Sequence, residues 1–276
     1  MAVYKTGGGC FISKLARRCR IFAPQMNNRQ TVLVENLGIR PYKQVWEYQE
    51  QLLQQDVAIK KALADGQDTY LTTLHHLLLV QHPPVYTLGK TGHEEYILIS
   101  EQERLAKGIE YYRINRGGDI TFHGPGQLVG YPILDLEKFF TDIGKYLRYL
   151  EEVIIKTIAG FGITGGRSKG ETGVWINAGM TGKERKICAM GVRCSRWITM
   201  HGWALNVNTD LDYFGHIIPC GIKDKEVTSM QKELGEPIDF DVVTKVLIEK
   251  FEEVFDVEIK IPETPAPKGV LIQASG

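Results

Sequence analysis

The chain has 276 residues, of which 43% are apolar and 24% are charged, so it is long enough for one large globular domain or two small ones. Lys plus Arg and Asp plus Glu each total 33, and this zero net charge gives no support to nucleic acid as the main partner. The five cysteines include no C-x-x-C pair, which argues against a disulfide framework or a zinc site. The sequence contains no run of 18 apolar residues, so no membrane-spanning helix is predicted. Reduced thiols are expected, and one of them is a candidate nucleophile.

The first 34 residues carry six Lys and Arg residues and no acidic residue. Such a segment resembles an organelle transit peptide, but its serine content is low and its apolar face is short. We favour an upstream start, with natural translation from Met26. We therefore treat residues 1–30 as a basic extension without fixed structure, 31–261 as the globular domain and the proline-containing 262–276 as a tail. The expected location is the cytoplasm, or the mitochondrion if the basic segment is a transit peptide.

Hydrophobic periodicity and turn residues predict the secondary structure along the globular domain. Strands are predicted at 31–36, 74–80, 85–88, in short pieces within 110–136, and at 173–177, 186–193, 203–208 and 257–261. Helices are predicted over 41–64, 142–159 and 241–255. Because strands and helices are mixed without regular β-α-β alternation, we predict an α+β fold with a mixed or mostly antiparallel sheet and flanking helices.

The densest motif is RGGDITFHGPGQ at residues 116–127, which contains four glycines. Glycines at this density permit a ligand to approach the backbone closely. The motif lacks the G-x-x-x-x-G-K-[ST] pattern of a phosphate-binding loop. From these residues alone, a ligand-binding loop and a plain hairpin turn are both open.

Two further motifs carry a thiol and an amine. In PCGI, Cys220 sits between Pro and Gly, a turn that can project a thiol into a cleft, although a lone cysteine is more often a small buried residue. In RKICAMGVR, Lys186 is either a charged residue that protects an edge strand from aggregation or a buried cation with a functional role. A neighbouring ammonium lowers the pKa of a thiol, which would be such a role. Unbroken strand alternation places Lys186 and Cys188 on the same face.

In HGWALNVN, Gly202 and Ala204 leave space along one face, while Trp203 and Leu205 are expected in the core.

The blocks RGGDITFHGPGQLVGYPILDL, RKICAMGVR, HGWALNVNTDL and PCGI closely resemble, in this order, the octanoyltransferases of lipoate biosynthesis. The resemblance runs from about residue 31 to 240 and implies an α+β fold shared with biotin and lipoate protein ligases. It also implies a ping-pong reaction without cofactor, in which Cys220 takes an octanoyl group from octanoyl-acyl carrier protein and passes it to a lysine of a lipoyl domain. The implied acceptors are 2-oxoacid dehydrogenase E2 subunits and the glycine cleavage H protein. A monomer with no membrane or nucleic-acid partner is expected.

The resemblance also assigns residues. It makes Cys220 the nucleophile and Lys186 the group that acidifies it and shuttles protons, with no metal ligand. The acyl-binding residues that it implies are Arg116, Gly117, Gly118, Asp119, Ile120, Thr121, Phe122, His123, Ala189, Met190, Gly191, Gly202, Trp203 and Ala204. His123 is a rival general base or a structural histidine, and we rank Lys186 above it.

Three competing functions stay open on the sequence. An ATP-dependent lipoate or biotin ligase of the same fold needs no cysteine nucleophile. A non-catalytic binding module would keep the pocket without needing both Lys186 and Cys220. A cysteine hydrolase would release octanoate to water. Four basic residues near the expected site form either a rim for acidic carrier proteins or a solvated surface: Arg167, Lys169, Arg193 and Arg196.

Overall fold

The computed structural model describes residues 29–67, 70–218 and 226–262. The strands in these ranges are β1 Thr31–Ile39, β2 His75–Gln81, β3 Val85–Leu88, β4 Glu110–Arg113, β5 Ile120–His123, β6 Gln127–Ile133, β7 Gly165–Gly166, β8 Val174–Ile176, β9 Arg185–Ser195, β10 Ile198–Asn206, β11 Glu226–Val227 and β12 Glu258–Lys260. The helices are α1 Tyr42–Ala64, α2 Glu101–Ala106, α3 Ile143–Ala159, α4 Met230–Leu234 and α5 Phe240–Phe255. The basic extension before Arg29 and the tail after Pro262 lie outside the described residues.

The main sheet is mixed, which confirms the predicted α+β class. Its strands follow the order β12-β1-β2-β6-β10-β9-β8-β7, and β11 adds to β9. Strand β1 is parallel to both β12 and β2, β11 is parallel to β9, and the pairs from β2 through β6, β10, β9 and β8 to β7 are antiparallel. A separate small sheet has the order β4-β3-β5.

Helices cover the main sheet on two sides and divide its core in two. Helices α3 and α5 contribute Leu150, Ile154 and Phe251 to one cluster, which includes Trp203 and Leu205 of β10. This confirms the expectation that Trp203 and Leu205 pack in the core. Helix α1 contributes Val45, Leu52 and Leu53 to a second cluster with residues of β2, β6 and β10, Ala204 among them. Adjacent residues of β10 therefore serve opposite faces of the sheet, as strand alternation requires.

The small sheet holds the glycine-rich segment against the main sheet. Residues 114–119 connect β4 to β5, and the amide of Gly117 donates a 3.0 Å hydrogen bond to the carbonyl of Val192 in β9. On the other side of the segment, the amide of Gly89 donates to the carbonyl of Asp119 at 3.2 Å. The segment predicted to bind a ligand thus bridges the two sheets.

The prediction for β10 was wrong over its first half, since the strand begins at Ile198 and not at residue 203. A two-residue turn joins it to β9, and Arg196 and Trp197 both have positive φ, 49° and 65°. Such turns usually carry Asn-Gly or Asp-Gly, so Arg-Trp gave no hairpin signal. His201 within β10 also has a positive φ of 58°, which interrupts the alternation expected of a strand.

Among the described helices, none combines the length and hydropathy needed to cross a bilayer.

Candidate active site

A cavity of about 510 Å³ lies where the glycine-rich segment crosses β9 and β10. Its walls also include the start of α3, through Ile143 and Leu147, and residues 170–172. The sequence-predicted site residues that line it are Arg116, Gly117, Gly118, Asp119, Ile120, Thr121, His123, Lys186, Ala189, Met190, Gly191, Gly202, Trp203 and Ala204. Three motifs that are distant in sequence therefore meet around one space.

These wall residues account for all but two of the predicted site residues. Cys220 lies outside the described residues, which stop at Ile218 and resume at Glu226. Phe122 is described, but its side chain is buried in the core of the small sheet. Its ring stacks on Tyr213 at 4.6 Å and meets the edge of Phe214 at 5.5 Å. In the structure Phe122 thus supports the fold beside the cavity.

Lys186 is placed at the cavity by an aromatic ring and by an irregular strand. Its Nζ lies 4.5 Å from the ring centre of Trp175, a cation–π distance. The β8–β9 register slips between Val174 and Trp175, so that one extra residue of β9 bulges there. As a result the consecutive residues Ile187 and Cys188 both enter the same core cluster. This bulge breaks the unbroken alternation on which the shared face of Lys186 and Cys188 was predicted.

Two glycines of the cavity wall allow a close approach of neighbouring backbone segments. A Cβ on Gly191 would lie 2.6 Å from the carbonyl oxygen of Gly117. A Cβ on Gly202 would lie 2.2 Å from the carbonyl oxygen of Gly130. Both contacts are with backbone atoms, which cannot rotate away, so a side chain at Gly191 would displace the glycine-rich segment and one at Gly202 would push β10 away from β6.

Comparison with known proteins assigns the chain to a family. Residues 41–252 match the family described as lipoyl protein ligase A/B catalytic domain. An octanoyltransferase of Christiangramia forsetii is 57% identical over 83% of this chain and 97% of its own length. One of Flavobacterium johnsoniae is 57% identical over 83% of this chain and 98% of its own.

The chain belongs to the octanoyltransferase family.

The fold of this octanoyltransferase is that of lipoate protein ligases. A bi-partite lipoate protein ligase of Thermoplasma acidophilum superposes with a TM-score of 0.56 over 87% of this chain and 88% of the other. The two sequences are 18% identical, so this likeness concerns the fold alone. It confirms the predicted lipoate-ligase-like α+β architecture.

His123 of the octanoyltransferase is held as a neutral, buried residue. Its Nδ1 lies 2.8 Å from Oε1 of Gln127, and its Nε2 lies 3.3 Å from Oγ1 of Thr87. Its ring stacks on Tyr42 with an interplanar angle of 9°. Burial, with the nearby His82, holds the pKa of His123 well below its usual value. With both ring nitrogens engaged, His123 has the surroundings of a structural histidine.

The cavity also has lining residues that the sequence did not single out. Tyr42 comes from the start of α1, and Tyr131 from β6. No local pattern marks Tyr42, which reaches the cavity through the packing of a distant element, whereas Tyr131 lies within the block RGGDITFHGPGQLVGYPILDL. His201 also had a sequence signal, because it is the first residue of the block HGWALNVNTDL. Burial, with Arg116 and Arg193 nearby, lowers the pKa of His201 to about 3, and its Nε2 lies 3.2 Å from Oδ1 of Asn115.

Two of the four basic residues considered as a rim are engaged in internal ion pairs. Arg167 contacts Glu151 at 2.9 Å and Glu152 at 2.7 Å. Arg193 contacts Glu50 at 2.6 Å. Their charges are largely balanced within the chain, which weakens the interpretation of these two arginines as a surface for acidic partners.

The buried thiol nearest to Lys186 in sequence is poorly suited to nucleophilic attack. Burial raises the pKa of Cys188, although the Lys186 charge acts to lower it. A thiol in that state is almost entirely protonated at neutral pH and lies in the apolar core.

Proposed function

We propose that this acyltransferase moves an octanoyl group from an acyl carrier protein to a lysine of a lipoyl domain, with a thioester on Cys220 as the intermediate. The Cys220 thiolate attacks the donor thioester carbonyl, and the carrier's thiolate leaves. The neutral amine of the acceptor lysine then attacks the new thioester. The C–N bond forms, the Cys220 thiolate leaves, and the amine's proton passes to a base.

The family supports octanoyl transfer in particular. The octanoyltransferases of Christiangramia forsetii and Flavobacterium johnsoniae are each 57% identical to this chain over nearly their whole length. The cavity supports an acyl substrate, because glycines and apolar side chains form much of its wall. Burying the six methylenes of an octanoyl chain would contribute about 5 kcal/mol, at about 0.8 kcal/mol for each.

The observation that carries the mechanism is the position of Lys186. Its amino group lies over Trp175 at the wall of the acyl cavity, where the ammonium form can stabilise a thiolate and the neutral form can accept a proton from the incoming amine. Cys188 and Cys194, the two cysteines within the described residues, both have pKa values raised by burial. Neither of these two is suited to attack, and we assign the nucleophile to Cys220 because the family resemblance implies it.

The donor and acceptor follow from the same chemistry. A carrier-protein thioester is already activated, so the transfer needs no ATP, in contrast to a ligase that must first form an acyl-adenylate. We propose lipoyl domains of 2-oxoacid dehydrogenase E2 subunits and the glycine cleavage H protein as acceptors.

Intact-mass spectrometry tests the covalent intermediate. After the protein is mixed with octanoyl-acyl carrier protein without ATP, we expect a mass gain of one octanoyl group. The gain should disappear on addition of a lipoyl domain, which should take up the group as an amide. Cys220→Ala should abolish both steps, whereas the matched control Cys194→Ala should retain them. Transfer by Cys220→Ala at the wild-type rate would refute the mechanism, and release of free octanoate instead would indicate a hydrolase.

The role of Lys186 has its own test. Lys186→Ala should raise the pH at which Cys220 becomes reactive towards iodoacetamide, because the thiolate loses a neighbouring positive charge. Lys183→Ala is the control, since Lys183 is exposed on the turn before β9. If the pH dependence of Cys220 alkylation is the same in both variants, Lys186 does not acidify the thiol.

A further inference from the structure

Asn206, the last residue of β10, joins two parts of the molecule through its buried side-chain amide. The residue is 3% exposed. Its Oδ1 accepts a 2.9 Å hydrogen bond from Nε2 of Gln127, and its Nδ2 donates a 2.9 Å hydrogen bond to the carbonyl oxygen of Thr228. Both ends of the amide are therefore used, and neither bond is needed to pair β10 with its neighbours.

One end of this connection reaches the cavity wall. Nε2 of Gln127 donates to the carbonyl oxygen of Phe122 at 3.1 Å as well as to Asn206. Its Oε1 is an acceptor only, so Nδ1 of His123, 2.8 Å away, carries the proton and donates the hydrogen bond to it. Nε2 of His123 is left to accept from the hydroxyl of Thr87, 3.3 Å away. In this buried series of hydrogen bonds, each side chain donates to the next, from Thr87 through His123 and Gln127 to Asn206.

The other end reaches the backbone of Lys186. The amide of Thr228 donates a 2.9 Å hydrogen bond to the carbonyl oxygen of Lys186. The preceding residue, Val227, pairs with Lys186 in the short parallel ladder between β11 and β9. Thr228 is itself fully buried. Asn206 is thus connected to the backbone of Lys186 through two hydrogen bonds, one to the Thr228 carbonyl and one from the Thr228 amide.

We propose that Asn206 is a positioning residue for Lys186. It fixes Thr228 and, through it, the first residues of β9, so that the amino group of Lys186 stays at the acyl cavity. A ladder of two residues such as β11 has little stability of its own, and the side-chain amide supplies the buried partner that keeps it in place. This inference rests on the proposed function in so far as Lys186 acts in octanoyl transfer.

Asn208 provides a matched control. Two residues further along, its Nδ2 donates to the carbonyl oxygen of Ile238 at 2.7 Å, and its Oδ1 accepts from the amide of Ile238 at 3.0 Å. It makes the same kind of side-chain bridge to the backbone, but towards the start of α5. Asn206→Ala should lower kcat for octanoyl transfer by roughly tenfold to a hundredfold, the effect of displacing a reacting group by about 1 Å. KM for the octanoyl-carrier protein should stay unchanged, and Asn208→Ala should keep kcat.

Asn206→Asp separates positioning from a general loss of structure. The substituted side chain has the same shape, but its ionised form presents an oxygen to the Thr228 carbonyl where the amide presented a donor. Burial favours the protonated form, which can donate again. The activity of Asn206→Asp relative to wild type should therefore rise as pH falls, while that of Asn206→Ala should not. Equal pH dependence of the two ratios would overturn the proposal.

Lys186 can also be observed without the reaction. Limited acetylation with acetic anhydride, followed by peptide mass spectrometry, gives the labelling rate of Lys186 relative to exposed Lys183. The ratio should change in Asn206→Ala and stay at the wild-type value in Asn208→Ala. If both variants keep the wild-type ratio, Asn206 does not position Lys186. If the wild-type protein fails to transfer octanoyl groups, the proposed function fails, and the labelling ratio still decides the role of Asn206.

Discussion

Replacing Gly191 by alanine should displace the glycine-rich segment from the main sheet. Gly191 lies on β9 at the cavity wall, and the added Cβ would lie 2.6 Å from the carbonyl oxygen of Gly117 and 3.2 Å from Cδ of Arg116. The first contact is with backbone, so rotating a side chain cannot relieve it. The segment 116–118 must move away from β9.

The size of the displacement follows from the contact distances. An ordinary Cβ contact begins at 3.4 Å, so the Gly117 carbonyl must retreat from 2.6 Å by about 0.8 Å. Such a shift strains the 3.0 Å hydrogen bond between the Gly117 amide and the Val192 carbonyl. We expect a loss of about 1–3 kcal/mol in the free energy of unfolding, the usual range for an overpacked site. Octanoyl transfer should fall by about a hundredfold, because the cavity wall is misplaced by nearly 1 Å.

Urea unfolding and steady-state transfer assays measure the two effects. Gly117→Ala is the matched control, because its Cβ would meet only the carbonyl oxygen of Val192, at 3.5 Å, an ordinary contact. This control should keep the stability of the wild type. If Gly191→Ala keeps both wild-type stability and wild-type kcat/KM, the close approach of the two backbones does not shape the cavity, and the reasoning fails.

Two further predictions concern stability. Glu151→Ala should lower the free energy of unfolding in urea by about 1–3 kcal/mol, because the buried amide of Gly173, which donates to Glu151 at 3.0 Å, loses its acceptor. Glu152→Ala, at a more exposed carboxylate, should lower it much less, and equal losses in the two variants would contradict this reasoning. Burial lowers the pKa values of His75 and His82 from 6.5 to about 4. Between these two pH values the unfolded chain binds more protons than the folded chain, so stability that is present above pH 6.5 is lost as the pH falls towards 4, by about 3 kcal/mol per histidine. His82→Gln should flatten part of this slope in urea titrations across the range, and an unchanged slope would argue against the assignment.

Local sequence signals predicted the elements whose boundaries are set by their own residues. The helix predicted over 142–159 is α3, Ile143–Ala159, and it begins where the side chain of Asp142 accepts a 2.9 Å hydrogen bond from the amide of Lys145. The helix predicted from Pro41 is α1, which begins at Tyr42. Caps and apolar stripes act within a few residues, so a sequence pattern is enough to find them.

Elements set by backbone conformation were harder to predict. The hairpin at Arg196 and Trp197 has positive φ at two residues that seldom adopt it. The bulge at Ile187 shifts β9 against β8, and nothing in the residues around it marks the shift. In both places the packing of neighbouring strands imposes a conformation that the local sequence does not favour.

The motifs of the sequence identified part of the cavity wall, and glycines occur there because they let a ligand or a second backbone approach closely. The tertiary structure alone decided the role of each polar group. Gln127 and Asn206 lie 79 positions apart in the chain, yet their amides are 2.9 Å apart because β6 and β10 are neighbours in the sheet. A hydrogen bond depends on where its two atoms finally lie, and strand order, not local sequence, brings these atoms together.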